Sequence, residues 1–252
     1  MYKAKKVLKM IRKVWITFGV LFFVYLIFSF QAHGVDRSLL DSDEQILVLN
    51  LTDRIEFIPQ IRLKSSALIF YPGGMVDPKA YVPMARKIAE NGHKVVILKL
   101  PFRNAITQAQ KKELFSKTIN IVSDGNEDLT WILSGHSKGG ALASEFVRTD
   151  DGIFKELVLI ATTHPKNYSL SDRNIHVTKI YASNDGIASE SKILENLNNL
   201  PKDTSLVRIE GGNHSQFGYY GYQIGDNKAI ISRHEQCQKL VESLMQVLNK
   251  GS

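Results

Sequence analysis

Leu129-Thr130-Trp131-Ile132-Leu133-Ser134-Gly135-His136-Ser137-Lys138-Gly139-Gly140-Ala141-Leu142 is the stretch on which the reading of this chain turns. An apolar run, Leu129–Ser134, enters a glycine-rich turn. It leaves into residues with helical spacing, Ala141, Leu142, Phe146 and Val147. Gly-x-Ser-x-Gly between a strand and a helix sets a serine on a sharp turn, so that its hydroxyl projects above the strand end. Glycines two before and two after the serine let strand and helix pass closely, and the helix start offers unpaired N–H groups to a developing anion. The glycine order is neither that of a phosphate-binding loop nor that of a dinucleotide fingerprint.

A serine hydroxyl is a weak nucleophile without a base, and the base needs an orienting acid. Downstream, Asp185 follows the apolar run Val177–Ala182, and His214 follows Leu206–Ile209. Ser137, Asp185 and His214 thus stand in one consistent chain order, each just past a strand. Glu210 is an alternative acid and His164 an alternative base, the latter placed against chain order. His164 also reads as a residue at the site's edge. Two backbone N–H groups are expected to face the oxyanion: that of Lys138, and that of Gly74 or Met75 in the Tyr71-Pro72-Gly73-Gly74-Met75 turn. The aromatic stretch after His214 makes Phe217 and Tyr219 candidates for substrate contact. The chemistry requires neither metal nor cofactor.

Working outward, apolar runs at 46–50, 54–58, 67–71, 94–98, 129–134, 157–161, 177–182 and 206–209 alternate with helical stripes. Such alternation implies an α/β fold: a mostly parallel eight-stranded sheet with helices on both faces, and its site beyond the C-terminal strand ends. The first two runs are joined too closely for a crossover helix, so they are expected to form an antiparallel pair at one edge. Asp77-Pro78 is a helix start, an acidic cap followed by proline.

The formal charge is +7, but Lys3, Lys5, Lys6, Lys9, Arg12 and Lys13 supply almost all of it. The remaining 26 Lys/Arg nearly balance the 25 Asp/Glu, which removes the basic surface a nucleic-acid-binding domain needs. From Val14 to Phe30 there is no charge, enough apolar helix to cross a bilayer. Positive residues before it and Asp36, Asp41, Asp43 and Glu44 after it orient the N-terminus to the cytoplasm. A cleaved signal peptide is the rival reading, disfavoured by Phe30 two residues before Ala32. The expected organisation is a basic cytoplasmic segment (1–13), a single-pass transmembrane anchor (14–31), a linker or short helix (32–44) and an extracytoplasmic catalytic domain (45–250). Cys237 is the sole cysteine, so neither an intramolecular disulfide nor a cysteine zinc site can form.

With these residues in hand, the chain resembles the α/β-hydrolase superfamily over roughly residues 42–248. More narrowly it is similar to bacterial α/β-hydrolase domain proteins related to dienelactone hydrolases. Phe70-Tyr71-Pro72-Gly73-Gly74, Gly135–Gly140 and Gly211-Gly212-Asn213-His214-Ser215-Gln216-Phe217-Gly218, running on to Gly225-Asp226, carry the resemblance. It implies Ser137 as nucleophile, Asp185 as acid and His214 as base. Two departures limit it: Lys138 stands where an apolar residue is common, and serine stands where dienelactone hydrolases typically have cysteine. The expected activity is cleavage of a small-molecule or lipid carboxylic ester through an acyl-enzyme. An amidase or peptidase with the same triad, and a noncatalytic membrane-tethered binding domain, are the alternatives.

Overall fold

Short β-branched and leucine-rich runs bury best as parallel strands covered on both faces, and the computed structural model, which describes residues 2–124, 129–150 and 152–250, has eight of them among those residues. They are β1 (Ile46–Asn50), β2 (Arg54–Pro59), β3 (Ser66–Tyr71), β4 (Lys94–Leu98), β5 (Thr130–His136), β6 (Glu156–Ile160), β7 (His176–Ala182) and β8 (Ser205–Ile209). The sheet order is β1-β2-β4-β3-β5-β6-β7-β8. β1–β2 and β2–β4 are antiparallel, and every other pairing is parallel. The antiparallel edge pair was expected; its seat beside β4 rather than β3 could not be read from periodicity.

Alternate strand residues point to opposite faces, which yields two cores. On one face, Phe70, Val95, Ile132 and Val158 pack with Met84 and Ile88 of α2 (Val82–Glu90) and Leu244 and Leu248 of α6 (Arg233–Lys250). On the other, Ile69, Val96, Leu133 and Leu157 pack with Leu114 of α3 (Gln108–Asp124) and Leu142 and Phe146 of α4 (Lys138–Thr149). Burying one such side chain stabilises by about 1.5–3 kcal/mol. Asp77 caps a 3₁₀ turn (Pro78–Tyr81) that leads into α2, its carboxylate accepting from the Lys79 N–H at 3.0 Å.

α1 runs unbroken from Tyr2 to Ser29, through the basic stretch, and stops short of Gln31. Met1 of that stretch lies outside the described residues. From Lys5 to Ser29 the helix is long and apolar enough to cross a membrane, and its apolar stretch stays unburied until Ser29, which is buried against the domain. Residues 32–44, expected as a linker or short helix, run along the domain. They contain a 3₁₀ turn (Arg37–Leu40), and Val35, Leu39 and Leu40 pack on the core. Arg86 donates to the carbonyls of Leu39 (3.1 Å) and Asp41 (2.6 Å) and to the Asp43 carboxylate. The helix end is tied to the domain as well. Gly221 N–H donates to the Ser29 carbonyl (2.7 Å), Asp77 N–H to the Phe30 carbonyl (2.8 Å) and His33 N–H to the Tyr219 carbonyl (2.7 Å).

Candidate active site

The loops after β3, β5, β7 and β8 all leave the same edge of the sheet, because those strands are parallel. After β5, Ser137 adopts φ 53°, ψ −115°. That conformation costs a non-glycine residue about 1–3 kcal/mol, and close packing imposes it. A Cβ on Gly135 would sit 2.4 Å from the Gly139 carbonyl carbon, and one on Gly139 would sit 2.1 Å from the Tyr71 carbonyl oxygen. Both glycines are therefore required by contact between turn, helix and the end of β3. Gly139→Ala forces the backbone of α4 off β3. We expect a loss of about 1–3 kcal/mol or more, read as a lowered denaturation midpoint, together with loss of whatever chemistry depends on the position of Ser137.

The three residues expected to cooperate do meet. His214 Nε2 lies 3.0 Å from Ser137 Oγ, and His214 Nδ1 lies 2.8 Å from Asp185 Oδ2. Asp185 and His214 are buried, whereas Ser137 is half-buried and reachable. Asp185 Oδ1 also accepts from the N–H groups of Ile187 (2.8 Å) and Ala188 (2.6 Å), which fixes the carboxylate. Glu210, the alternative acid, instead pairs with Arg208 on the surface.

A second carboxylate holds the two loops together. Asp226 is buried and accepts from the N–H of Gly186 (3.1 Å), next to the acid, and from the N–H groups of His214 (3.2 Å) and Ser215 (2.8 Å). It also takes the Ser215 hydroxyl at 2.7 Å. Under the base, the ring of His136 lies 4.8 Å from that of His214. Tyr81 Oη accepts from the Gly73 N–H at 3.0 Å and lies 2.8 Å from His136 Nδ1. Burial, and then the neighbouring His214, push the His136 pKa well below the ordinary histidine value, so it is a neutral support for the base.

The backbone donors sort themselves. Met75 N–H donates to the Arg103 carbonyl at 2.7 Å, and Gly73 N–H is held by Tyr81. Met75 is therefore withdrawn as an oxyanion donor, and Gly74 remains. Gly74 faces Lys138: a Cβ there would meet Lys138 Cβ at 3.1 Å and Asn104 Oδ1 at 2.9 Å. The Lys138 pKa is lowered, first by burial and then by Lys111, itself paired with Glu145 at 2.7 Å.

A cavity of about 190 Å³ opens at Ser137, walled by the Gly73–Val76 turn, Asn104 and Lys138 on one side and by Phe30, Tyr220 and Gln223 on the other. The aromatic expectations need correction. Phe217 is buried against the His136 ring (centroids 5.6 Å apart) and does not reach this wall. Tyr219 turns the other way, its ring under Arg233 at 5.7 Å. Tyr220, between them in the turn, is the residue that lines the cavity. His164 is half-buried beside Thr162, outside the wall, and burial lowers its pKa to about 4. Cys237 packs on the core, and burial raises its thiol pKa to about 11, so it is not a thiolate at neutral pH.

Another serine–histidine contact lies at the opposite edge of the sheet, where Ser66 Oγ is 2.8 Å from His93 Nδ1 at the starts of β3 and β4. This serine is fully buried within a strand, and its hydroxyl donates to the Leu248 carbonyl at 2.8 Å. The contact ties α6 to the sheet.

Residues 67–238 match the sequence profile of the Alpha/beta hydrolase family. The chain belongs to that family. No curated protein matches it. Among solved structures, this hydrolase is similar to an alpha-beta serine hydrolase homologue from Coxiella burnetii, with 14% identity and TM-score 0.58, covering 82% of this chain and 99% of that one. A hyperthermophilic esterase from the archaeon Pyrobaculum calidifontis aligns with 12% identity and TM-score 0.61, over 89% and 90% of the two chains. A lidless a/b serine hydrolase from Xanthomonas campestris aligns with 14% identity and TM-score 0.57, over 83% and 96%. At such identities the likeness is one of fold.

Proposed function

We propose that this α/β hydrolase cleaves a carboxylic ester, or a related acyl bond, through a Ser137–His214–Asp185 triad. The observation that carries the proposal is the unbroken hydrogen-bonded line from the Ser137 hydroxyl through His214 to Asp185. His214 Nε2 takes the Ser137 proton as Oγ bonds to the acyl carbon, and the carbonyl electron pair moves onto its oxygen. The N–H groups of Lys138 and Gly74 hold that oxyanion. Collapse expels the alcohol, which receives the proton from His214. Water then repeats the sequence on the acyl-enzyme and frees Ser137. Asp185 keeps the imidazole in the required tautomer and stabilises the imidazolium. α1 is the anchor of the enzyme in this proposal, a single pass with residues 1–13 cytoplasmic and the catalytic domain outside.

Full-length protein treated with a fluorophosphonate probe is expected to carry label on Ser137, and the Ser137→Ala variant none. Folded wild-type protein that takes up no label, or a variant that still does, refutes the triad. A panel of matched esters and amides then separates esterase from amidase chemistry.

A further inference from the structure

Phe30, the residue just past the end of α1, forms part of the cavity wall at Ser137 and stacks on Tyr220, with ring centroids 6.2 Å apart. The apolar helix therefore ends at the cleft itself. Its last turn is also bonded to the loop that carries Tyr220. The hydroxyls of Tyr25 (3.3 Å) and Ser29 (2.5 Å) both donate to the Tyr222 carbonyl. Tyr25 lies one turn before Ser29, about 6 Å along the axis. The 219–222 loop thus stands level with the final turn of the spanning segment. On the other flank, Arg103 donates to Gln31 Oε1 at 3.3 Å, bringing the 101–106 loop to the same level.

Both loops turn large apolar side chains outward. Phe102 is 85% exposed and Ile106 69%, with Tyr222, Ile224 and Met75 also exposed. Phe102 and Arg103 are left-handed (φ 50° and 56°), which costs non-glycine residues about 1–2 kcal/mol each. Residues that enter a bilayer interface bury about 5–10 Å into it, a depth comparable with the overlap along α1. The cavity adds a constraint of size. At about 190 Å³ it is smaller than the roughly 300–1,000 Å³ that encloses a drug-sized ligand. It can accept an ester group and its neighbours while the rest of the substrate stays outside, across the apolar rim.

We propose that the Ser137 cleft opens onto the surface of the bilayer that α1 crosses, with Phe102, Ile106, Tyr222 and Ile224 seated in the interface, and that its substrate is a long-chain acyl ester resident in that bilayer. The proposal rests on the hydrolase and anchor readings above. In the reaction the ester C–O bond breaks, the acyl carbon receives the hydroxyl of water, and the leaving alcohol oxygen receives the proton.

The test uses the full chain in phosphatidylcholine vesicles, with Cys237→Ser as background. Single cysteines at Phe102→Cys and, on the opposite edge before β8, Lys202→Cys carry a fluorophore, and nitroxide-labelled lipid is the quencher. Quenching at 102 and none at 202 is expected. Absence of quenching at 102 overturns the placement, whether or not any ester is cleaved. The paired Phe102→Asp, Ile106→Asp variant is then compared with wild type on a soluble short-chain nitrophenyl ester and on a long-chain ester embedded in the vesicles. Loss of two apolar anchors is expected to slow the embedded substrate on the order of tenfold or more and to leave the soluble one unchanged. Equal loss on both substrates, or on neither, overturns the substrate assignment. Quenching at 102 with no cleavage of either ester by wild type refutes the hydrolase reading and the substrate with it, while the membrane placement survives.

Discussion

Ser137→Ala is expected to lower the turnover of ester hydrolysis by about 10⁴-fold or more in a protein that still folds. The hydroxyl is half-buried, and its Oγ contact is with His214, so its removal leaves the sheet and both cores untouched. His214→Ala should cost nearly as much, since without a proton acceptor the hydroxyl is again a weak nucleophile. The double variant is then expected to be scarcely worse than either single one, because the two groups act as one unit. Additive losses would mean that Ser137 and His214 act independently, and the triad would not describe the reaction.

The second large effect belongs to a residue that does not touch the nucleophile. Asp226→Ala removes the acceptor shared by the N–H groups of Gly186, His214 and Ser215 and leaves them without that partner in a buried site. Loss of one partner from a buried, charge-assisted network costs roughly 3–5 kcal/mol. For a domain of this size that is a melting midpoint lower by roughly 10 °C. The same substitution releases the acid-bearing and base-bearing loops from each other, so turnover is expected to fall even well below the new midpoint. A variant that melts early but keeps full turnover when cold would make Asp226 purely structural.

The strand-end residues were readable because their chemistry and their position coincide. Ser137, Asp185 and His214 each follow an apolar run, and parallel pairing carries all three to one edge without further information. The strand periods also located the eight runs to within a residue or two. Other features depend on contacts that no local period encodes. Choosing Gly74 over Met75 needs the bond from Met75 to the Arg103 carbonyl, made by a loop with left-handed residues that sequence does not announce. Selecting Tyr220 over Phe217 and Tyr219 depends on which way a short turn faces. Phe30 read as a membrane residue because its neighbours are apolar, and its place in the cavity wall appears only once α1 meets the 219–222 loop. Asn104 and Gln223 gave no signal at all. Asp226 did stand in the quoted Gly225-Asp226 pair, but a lone carboxylate in a turn does not disclose that it gathers N–H groups from two loops.

The seam between residues 29–33 and the 219–222 loop bears on how this protein is best handled in the laboratory. Trimming the gene to begin after the apolar segment is the usual route to a soluble preparation. Here such a cut would take away the carbonyl that receives the Asp77 N–H, the carbonyl that receives the Gly221 N–H, and the phenyl ring in the cavity wall at Ser137. A shortened protein would keep its nucleophile and lose one side of the vestibule. Rates and inhibitor profiles gathered on it would belong to a wider, more promiscuous opening than the one the intact polypeptide presents.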